Sequence, residues 1–251
     1  MSLREFIETV AKLRSPDGGC PWDREQTHET LKRYLIEETY EAIDAIESGD
    51  PKLIMEELGD VLLQVILHAQ IASENNEFNI DDVANCINQK MVNRHPHVFS
   101  NVKVNTAEEV MVNWEKLKKE EKPHRKDILE GIPIHLPALM KALKVSKKAA
   151  KEGFEWKDKQ DLWNTLDSEL KELKEAISSG KKQDQEEELG DLLFMIVNIA
   201  RWYKIDPEDV LNKGIKKFIA RYSKVKQLSK KDLKELTYKE LNELWEEAKK
   251  N

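Results

Sequence analysis

The feature that most constrains this chain is that it carries one pattern twice. Glu38, Glu41, Glu57, Leu58, Gly59 and Asp60 recur as Glu169, Glu172, Glu188, Leu189, Gly190 and Asp191, every residue displaced by 131 positions. Leu35, Ala45, Ser48 and Gly49 recur at the same displacement as Leu166, Ala176, Ser179 and Gly180. Asp82, Val83, Asn85 and Arg94 match Asp209, Val210, Asn212 and Arg221 at 127, so one connection in the second copy is four residues shorter; Trp114 and Lys118 return to 131 at Trp245 and Lys249. Scattered Leu and Glu match by chance in a charged chain. Four acids, a glycine and a tryptophan at one displacement do not, and the chain reads as a tandem duplication.

Between the copies, Pro123, Gly131 and Pro133, with Pro137 just beyond, have the breaker density of a linker. The expected division is a first domain over 1–122, a linker over 123–136 and a second domain over 137–251. Composition then sets the class: 35% charged and 7% aromatic residues, with few Gly and Pro, predict an all-α architecture, one helical bundle repeated in tandem. A net charge of -7 argues against a nucleic-acid partner, which selects for a basic face. Cys20 and Cys86 make no disulfide framework, the start MSLREFIETVAKLR is unlike a secretory leader, and no apolar run reaches membrane-spanning length. A cytoplasmic protein with no membrane contact is expected.

Leu35, Ile36, Thr39, Tyr40, Ile43 and Ile46 recur at helical spacing and predict a buried face, with Glu38 and Glu41 beside it, three apart. Ser48-Gly49-Asp50-Pro51 reads as a helix stop, a cap and a restart, so the next helix, about residues 52–72, returns antiparallel. That helix is apolar on nearly every side and is expected to be central. Along it Glu57, Asp60, Gln64 and His68 form one polar stripe; the second copy has Glu188, Asp191 and, further on, Asn198. Ionised carboxylates are too costly to bury unpaired, so the stripe faces a cation or a wet cleft.

A lone Glu-x-x-Glu is ordinarily a solvated helix face. The same pair followed sixteen residues later by Glu-x-x-Asp, twice in one chain, points instead to a metal site. Four hard oxygen donors from two helices suit Mg²⁺ better than zinc. A di-iron carboxylate bundle would use Glu-x-x-His, which neither copy has. Lys90 with Arg94, and Lys217 with Arg221, lie four apart and either grip phosphate oxygens or belong to solvated surface. Trp114 with Lys118, and Trp245 with Lys249, offer an aromatic plane for a base and a cation for a phosphate; the other reading is that each tryptophan docks its helix. His95 and His97 lack a third ligand for zinc.

Glu-x-x-Glu, the sixteen-residue gap, Glu-x-x-Asp, a downstream Lys/Arg helix and a late Trp-x-x-x-Lys resemble the MazG family. Cys20-Pro21-Trp22-Asp23, Gln26-Thr27-His28 and Arg94-His95-Pro96-His97-Val98-Phe99 are similar to the N-terminal half of such proteins. The resemblance implies an all-α, Mg²⁺-dependent, dimeric nucleoside triphosphate pyrophosphohydrolase of broad base range, cleaving between the α and β phosphorus. Through it Glu169, Glu172, Glu188 and Asp191 become the metal ligands of the second copy, Lys213, Lys217 and Arg221 the triphosphate grip, and Trp245 and Lys249 the nucleoside contacts. The first copy offers Glu38, Glu41, Glu57 and Asp60 with Lys90, Arg94, Trp114 and Lys118, but Cys86 stands where Lys213 would be. Catalysis is therefore expected in the second copy, with Glu172 orienting or deprotonating the attacking water and Glu41 as its counterpart. The competing expectations are a nucleotide-sensing module without turnover and a narrow enzyme for one non-standard nucleotide.

Overall fold

The computed structural model describes residues 2–121 and 127–250. The chain divides into two compact units, Met1–Lys122 and Pro123–Asn251. The expected boundary at Lys122 and the first part of the linker, residues 122–126, lie outside the described residues; from Asp127 to Pro137 the chain runs as turns and bends. No strand occurs among the described residues.

In the first unit the helices are α1 (Leu3–Leu13), α2 (Pro21–Glu25), α3 (His28–Ser48), α4 (Pro51–Glu74), α5 (Ile80–Arg94), α6 (Pro96–Phe99) and α7 (Ala107–Glu120). The second unit has α8 (Ala138–Lys151), α9 (Lys159–Ser179), α10 (Lys182–Trp202), α11 (Pro207–Leu228) and α12 (Tyr238–Lys250). The stop between α3 and α4 forms as its residues require: Gly49 takes the left-handed conformation at φ 72°, and the Asp50 side chain accepts the Lys52 amide 2.9 Å away with Pro51 in the first turn. Gly180 repeats the stop at φ 74°. A connection this short brings α3 back against α4, and α9 against α10, antiparallel.

The core of the first unit gathers Val10 of α1, Leu31 of α3 and Ile66, Leu67 and Ile71 of α4, flanked by Phe6, Ile7, Tyr34, Leu63 and Ile80. Duplication extends into it: Leu31 and Leu162, related by the same 131, are both fully buried, as are Ile66 and Val197.

Three expectations are corrected. The face Leu35, Ile36, Tyr40, Ile43 and Ile46 is not buried; Ile36 is 55% and Ile46 56% exposed, while over this stretch α3 buries small Ala42 and Ala45, which permit close approach of α4. The middle of α4 is central only on one side: Gln64, Ile66, Leu67, Ala69, Ile71 and Ala72 are buried, whereas Met55, Leu58, Leu62 and Val65 are exposed, and Leu193 and Ile196 of α10 likewise. Asn198 does not continue an open polar stripe. It is buried, accepts the Ser146 hydroxyl at 2.6 Å and donates to the Phe194 carbonyl at 2.9 Å.

Each unit also fastens its leading loop with a bidentate ion pair. Arg14, the C-cap of α1, donates to both Glu74 oxygens at 2.9 and 2.8 Å and to the Gln26 carbonyl at 3.1 Å. In the second unit the polarity is reversed: Glu155 in the loop accepts from Arg201 of α10, whose Nε also donates to Ser146 at 2.6 Å. The Gly18-Gly19-Cys20 turn is part of the first latch. A Cβ at Gly19 would stand 2.3 Å from the Ser15 carbonyl oxygen, so the close return of this loop onto α1 requires glycine.

Candidate metal and nucleotide sites

Two antiparallel helices joined by a tight turn place residues opposite one another when their numbers have nearly constant sums. Glu41 therefore faces Glu57, and Glu38 faces Asp60, across the α3–α4 seam. Oxygens of Glu38, Glu41 and Glu57 lie within 4.8 Å of one another, and those of Glu169, Glu172 and Glu188 do the same between α9 and α10. Three of the four expected ligands thus converge in each copy. The fourth is close enough to act by charge: Asp60 bears on Glu38 and Glu57, and Asp191 on Glu169 and Glu188.

These acids oppose each other's ionisation. Partial desolvation in the seam first, then the charges of Asp60 and Glu41, raise the Glu38 carboxyl above the usual range. Glu57 is raised by desolvation and by Glu41 and Asp60. In the second copy Glu169 and Glu188 are raised by desolvation, then by Glu172 and Asp191 among others. A bound cation would relieve this mutual repulsion. An octahedral Mg²⁺ shell with bonds of 2.0–2.1 Å sets neighbouring oxygens about 3 Å apart and opposite ones about 4 Å, so the triads, with oxygens within 4.8 Å, would have to draw in to hold it. The donor set, carboxylates alone, fits this ion. Sequence reasoning missed one neighbour: the Ser168 hydroxyl donates to Glu172 at 2.7 Å, one turn back on α9. Ser168 replaces Glu37 of the first copy, so Glu172 meets a donor where Glu41 has another acid nearby.

The polar stripe of α4 divides. Its acids open to solvent, but Gln64 is buried and His68 pairs with His28 of α3 rather than joining the carboxylates.

The basic and aromatic residues also separate by copy. Trp114 is half-buried, with Arg94 over its ring at 5.2 Å and the edge of His95 at 5.0 Å. Arg94 is itself buried and held by Glu121 through Nε and Nη2, so that edge of its guanidinium is engaged. His95 caps α5 and donates Nδ1–H to the Met91 carbonyl at 2.6 Å, which gives it a structural role. In the second copy Trp245 packs on Phe218 at 5.4 Å with Arg221 6.0 Å from its ring centre. Arg221 is half-exposed and forms no ion pair among the described residues; Lys217 is exposed on the same face of α11, and Lys213 is paired with Asp209 at 2.7 Å. Lys249 pairs with Glu246. Lys90 and Lys118 are half-buried in the first copy, and Cys86 is exposed at the place of Lys213.

Comparison with known proteins agrees with this duplication. The MazG nucleotide pyrophosphohydrolase domain is matched twice, over residues 26–99 and 157–226. The chain is 46% identical to the nucleoside triphosphate pyrophosphohydrolase/pyrophosphatase MazG of Thermotoga maritima, covering 98% of this chain and 95% of that protein. It is 38% identical to the nucleoside triphosphate pyrophosphohydrolase of Escherichia coli K12, over 99% of this chain and 97% of the other. It is also 46% identical to YabN of Bacillus subtilis, an uncharacterized protein of which it covers 51%. With both matched segments spanning a carboxylate triad and the basic helix that follows it, the chain belongs to the MazG nucleotide pyrophosphohydrolase domain family.

Proposed function

We propose that this protein hydrolyses ribo- and deoxyribonucleoside triphosphates to the monophosphate and pyrophosphate, with Mg²⁺ held by the carboxylate seams, as a homodimer in the cytoplasm. The observation that carries the reading is the pair of convergent carboxylate triads, each within a segment matched to the family. Bound Mg²⁺ supplies charge neutralisation at the phosphates and lowers the proton affinity of water. Glu169, Glu172, Glu188 and Asp191 would hold it; Glu172, oriented by Ser168, would also accept a proton from the water that attacks the α phosphorus as pyrophosphate leaves. Lys213, Lys217 and Arg221 of α11 take the triphosphate, and Trp245 with Lys249 the nucleoside end. The second copy is the working one because Lys213 is present and no carboxylate among the described residues holds Arg221, whereas the first has Cys86 and an Arg94 held by Glu121.

Ion-exchange separation of products from dGTP and ATP with Mg²⁺ tests this: monophosphate with pyrophosphate is expected from both. Diphosphate would mean another phosphohydrolase, tight binding without product a nucleotide sensor, and turnover of a single non-standard nucleotide a narrow enzyme.

The raised carboxyls give a second expectation. A carboxyl whose pKa is higher in the folded chain adds stability below its ordinary value of 4.5, and that stability is lost as pH rises through the raised value. Mg²⁺ relieves the repulsion only when the acids are ionised. The rise in melting temperature on adding Mg²⁺ should therefore be larger at about pH 7.5 than at about pH 5, by calorimetry against a chelator control. An equal rise at both would place the ion elsewhere.

A further inference from the structure

The metal reading leaves unused a pair of histidines at the other end of the α3–α4 seam, about 15 Å along the helices from Glu38 at 1.5 Å per residue. His28 Nδ1 and His68 Nδ1 stand 2.7 Å apart, and the two rings are parallel within 3° with centroids 5.0 Å apart. That separation is nearly the nitrogen–nitrogen distance plus the two nitrogen-to-centroid radii. The rings therefore meet edge to edge in one plane, with the lone pair of one nitrogen aimed at the N–H of the other. Such a head-on arrangement holds a single proton. A tetrahedral metal ion would spread the nitrogens and turn the rings out of line.

His68 Nε2 is buried with no hydrogen-bond partner. An unpaired buried donor is costlier than an unpaired acceptor. The neutral pair accordingly keeps its proton on His68 Nδ1, which donates to His28 Nδ1, and leaves His68 Nε2 a bare acceptor. An additional proton has no good place. On His28 Nδ1 it confronts the His68 N–H; on His68 Nε2 it makes a buried unpaired donor. His28 is also the first residue of α3, where the helix dipole opposes positive charge.

We propose that His28 and His68 form a one-proton clasp that fastens the start of α3 to α4 at neutral pH and opens when acid protonates the pair. Few charges face it. On α3, Glu29 is paired with Lys32; α4 has no charged residue between Asp60 and Glu74, and Glu74 is held by Arg14. From α1 and α5 the adjoining core receives Phe6, Ile7, Val10 and Ile80. Burial, and next the charge of His28, hold the His68 ring below the usual imidazole range. A depressed histidine contributes stability above its ordinary value of 6.5, which is lost as pH falls through the lowered one. The second unit has Lys159 and Ile199 at the corresponding positions, so the clasp belongs to the first unit.

Histidine-selective ¹⁵N NMR of the full chain, titrated from about pH 8 to about pH 5, tests this without any variant. The His68 ring should titrate below 6.5, with its Nδ1 the protonated nitrogen at neutral pH. In His28→Gln the His68 midpoint should move up towards 6.5, and in the native chain the protection of the α4 amides around His68, taken relative to intrinsic exchange at each pH, should fall as the pair protonates. A His68 titration at the ordinary value, unmoved by His28→Gln, would overturn the proposal. So would capture of one equivalent of Zn²⁺ with loss of the His68 titration, which would make the pair a metal site.

Discussion

Glu172→Gln should lower pyrophosphate release by on the order of 100-fold, the usual cost of deleting one electrostatic group that acts on the transition state. The substitution keeps volume and the Ser168 hydrogen bond while removing the charge that accepts the water's proton and helps hold the ion. Because Glu172 is among the charges raising Glu169 and Glu188, its neutralisation relieves repulsion in the seam. The metal-free variant should consequently melt at least as high as the native chain, which separates a catalytic loss from a folding defect. Glu41→Gln is the paired control. Its loss of activity should be much smaller, since the first copy lacks the counterpart of Lys213 and its Arg94 is engaged by Glu121. Near-normal turnover in Glu172→Gln, or abolition by Glu41→Gln instead, would move the chemistry away from the second site.

The second large effect concerns the apolar surface that α3 and α4 leave open. Ile36, Tyr40, Ile43 and Ile46 on α3 and Met55, Leu58 and Leu62 on α4 form a side of the helix pair that is exposed among the described residues. A soluble chain rarely leaves such a surface in water, and a two-fold pairing that lays one helix pair on another completes a four-helix bundle. Burying an isoleucine is worth about 1.5 to 3 kcal/mol, and an unpaired carboxylate in its place costs more. The double variant Ile36→Asp, Ile43→Asp should therefore weaken dimerisation by at least about 100-fold, given that 1.4 kcal/mol is tenfold, and run as a monomer in sedimentation equilibrium. A native chain that is monomeric at the same concentrations would remove the homodimer and leave this face to another partner.

Much of the site can be read along the chain. A three-residue separation puts Glu38 beside Glu41 on any helix, and the Gly49-Asp50-Pro51 stop sets the register in which Glu57 and Asp60 return opposite them. Both relations are local, governed by helix pitch and one short turn, so they survive without knowledge of the tertiary fold. The latches were less legible. Arg14 meets Glu74 across 60 positions, and Arg201 meets Ser146 across 55, distances over which no periodic signal operates. A weak hint existed in Gly153 and Trp156, which repeat Gly19 and Trp22 at a displacement of 134.

The sequence by itself determined the duplication, the helical class, the helix stops and the two sets of convergent acids, because helix phase and capping are properties of neighbouring residues. Only the tertiary structure decided which apolar stripe of α3 is covered. Leu35, Ile36, Tyr40 and Ile43 promise burial as strongly as any pattern can, yet the close packing of α4 selects Ala42 and Ala45, whose small side chains let the helices approach. Tertiary packing likewise split one polar stripe into a solvent-facing acid site and a histidine pair, and drew Asn198 into a buried hydrogen-bond network. Periodicity gives the angle at which a side chain leaves its helix; what it meets there depends on the packing of another element, as His68 meets His28 across 40 positions.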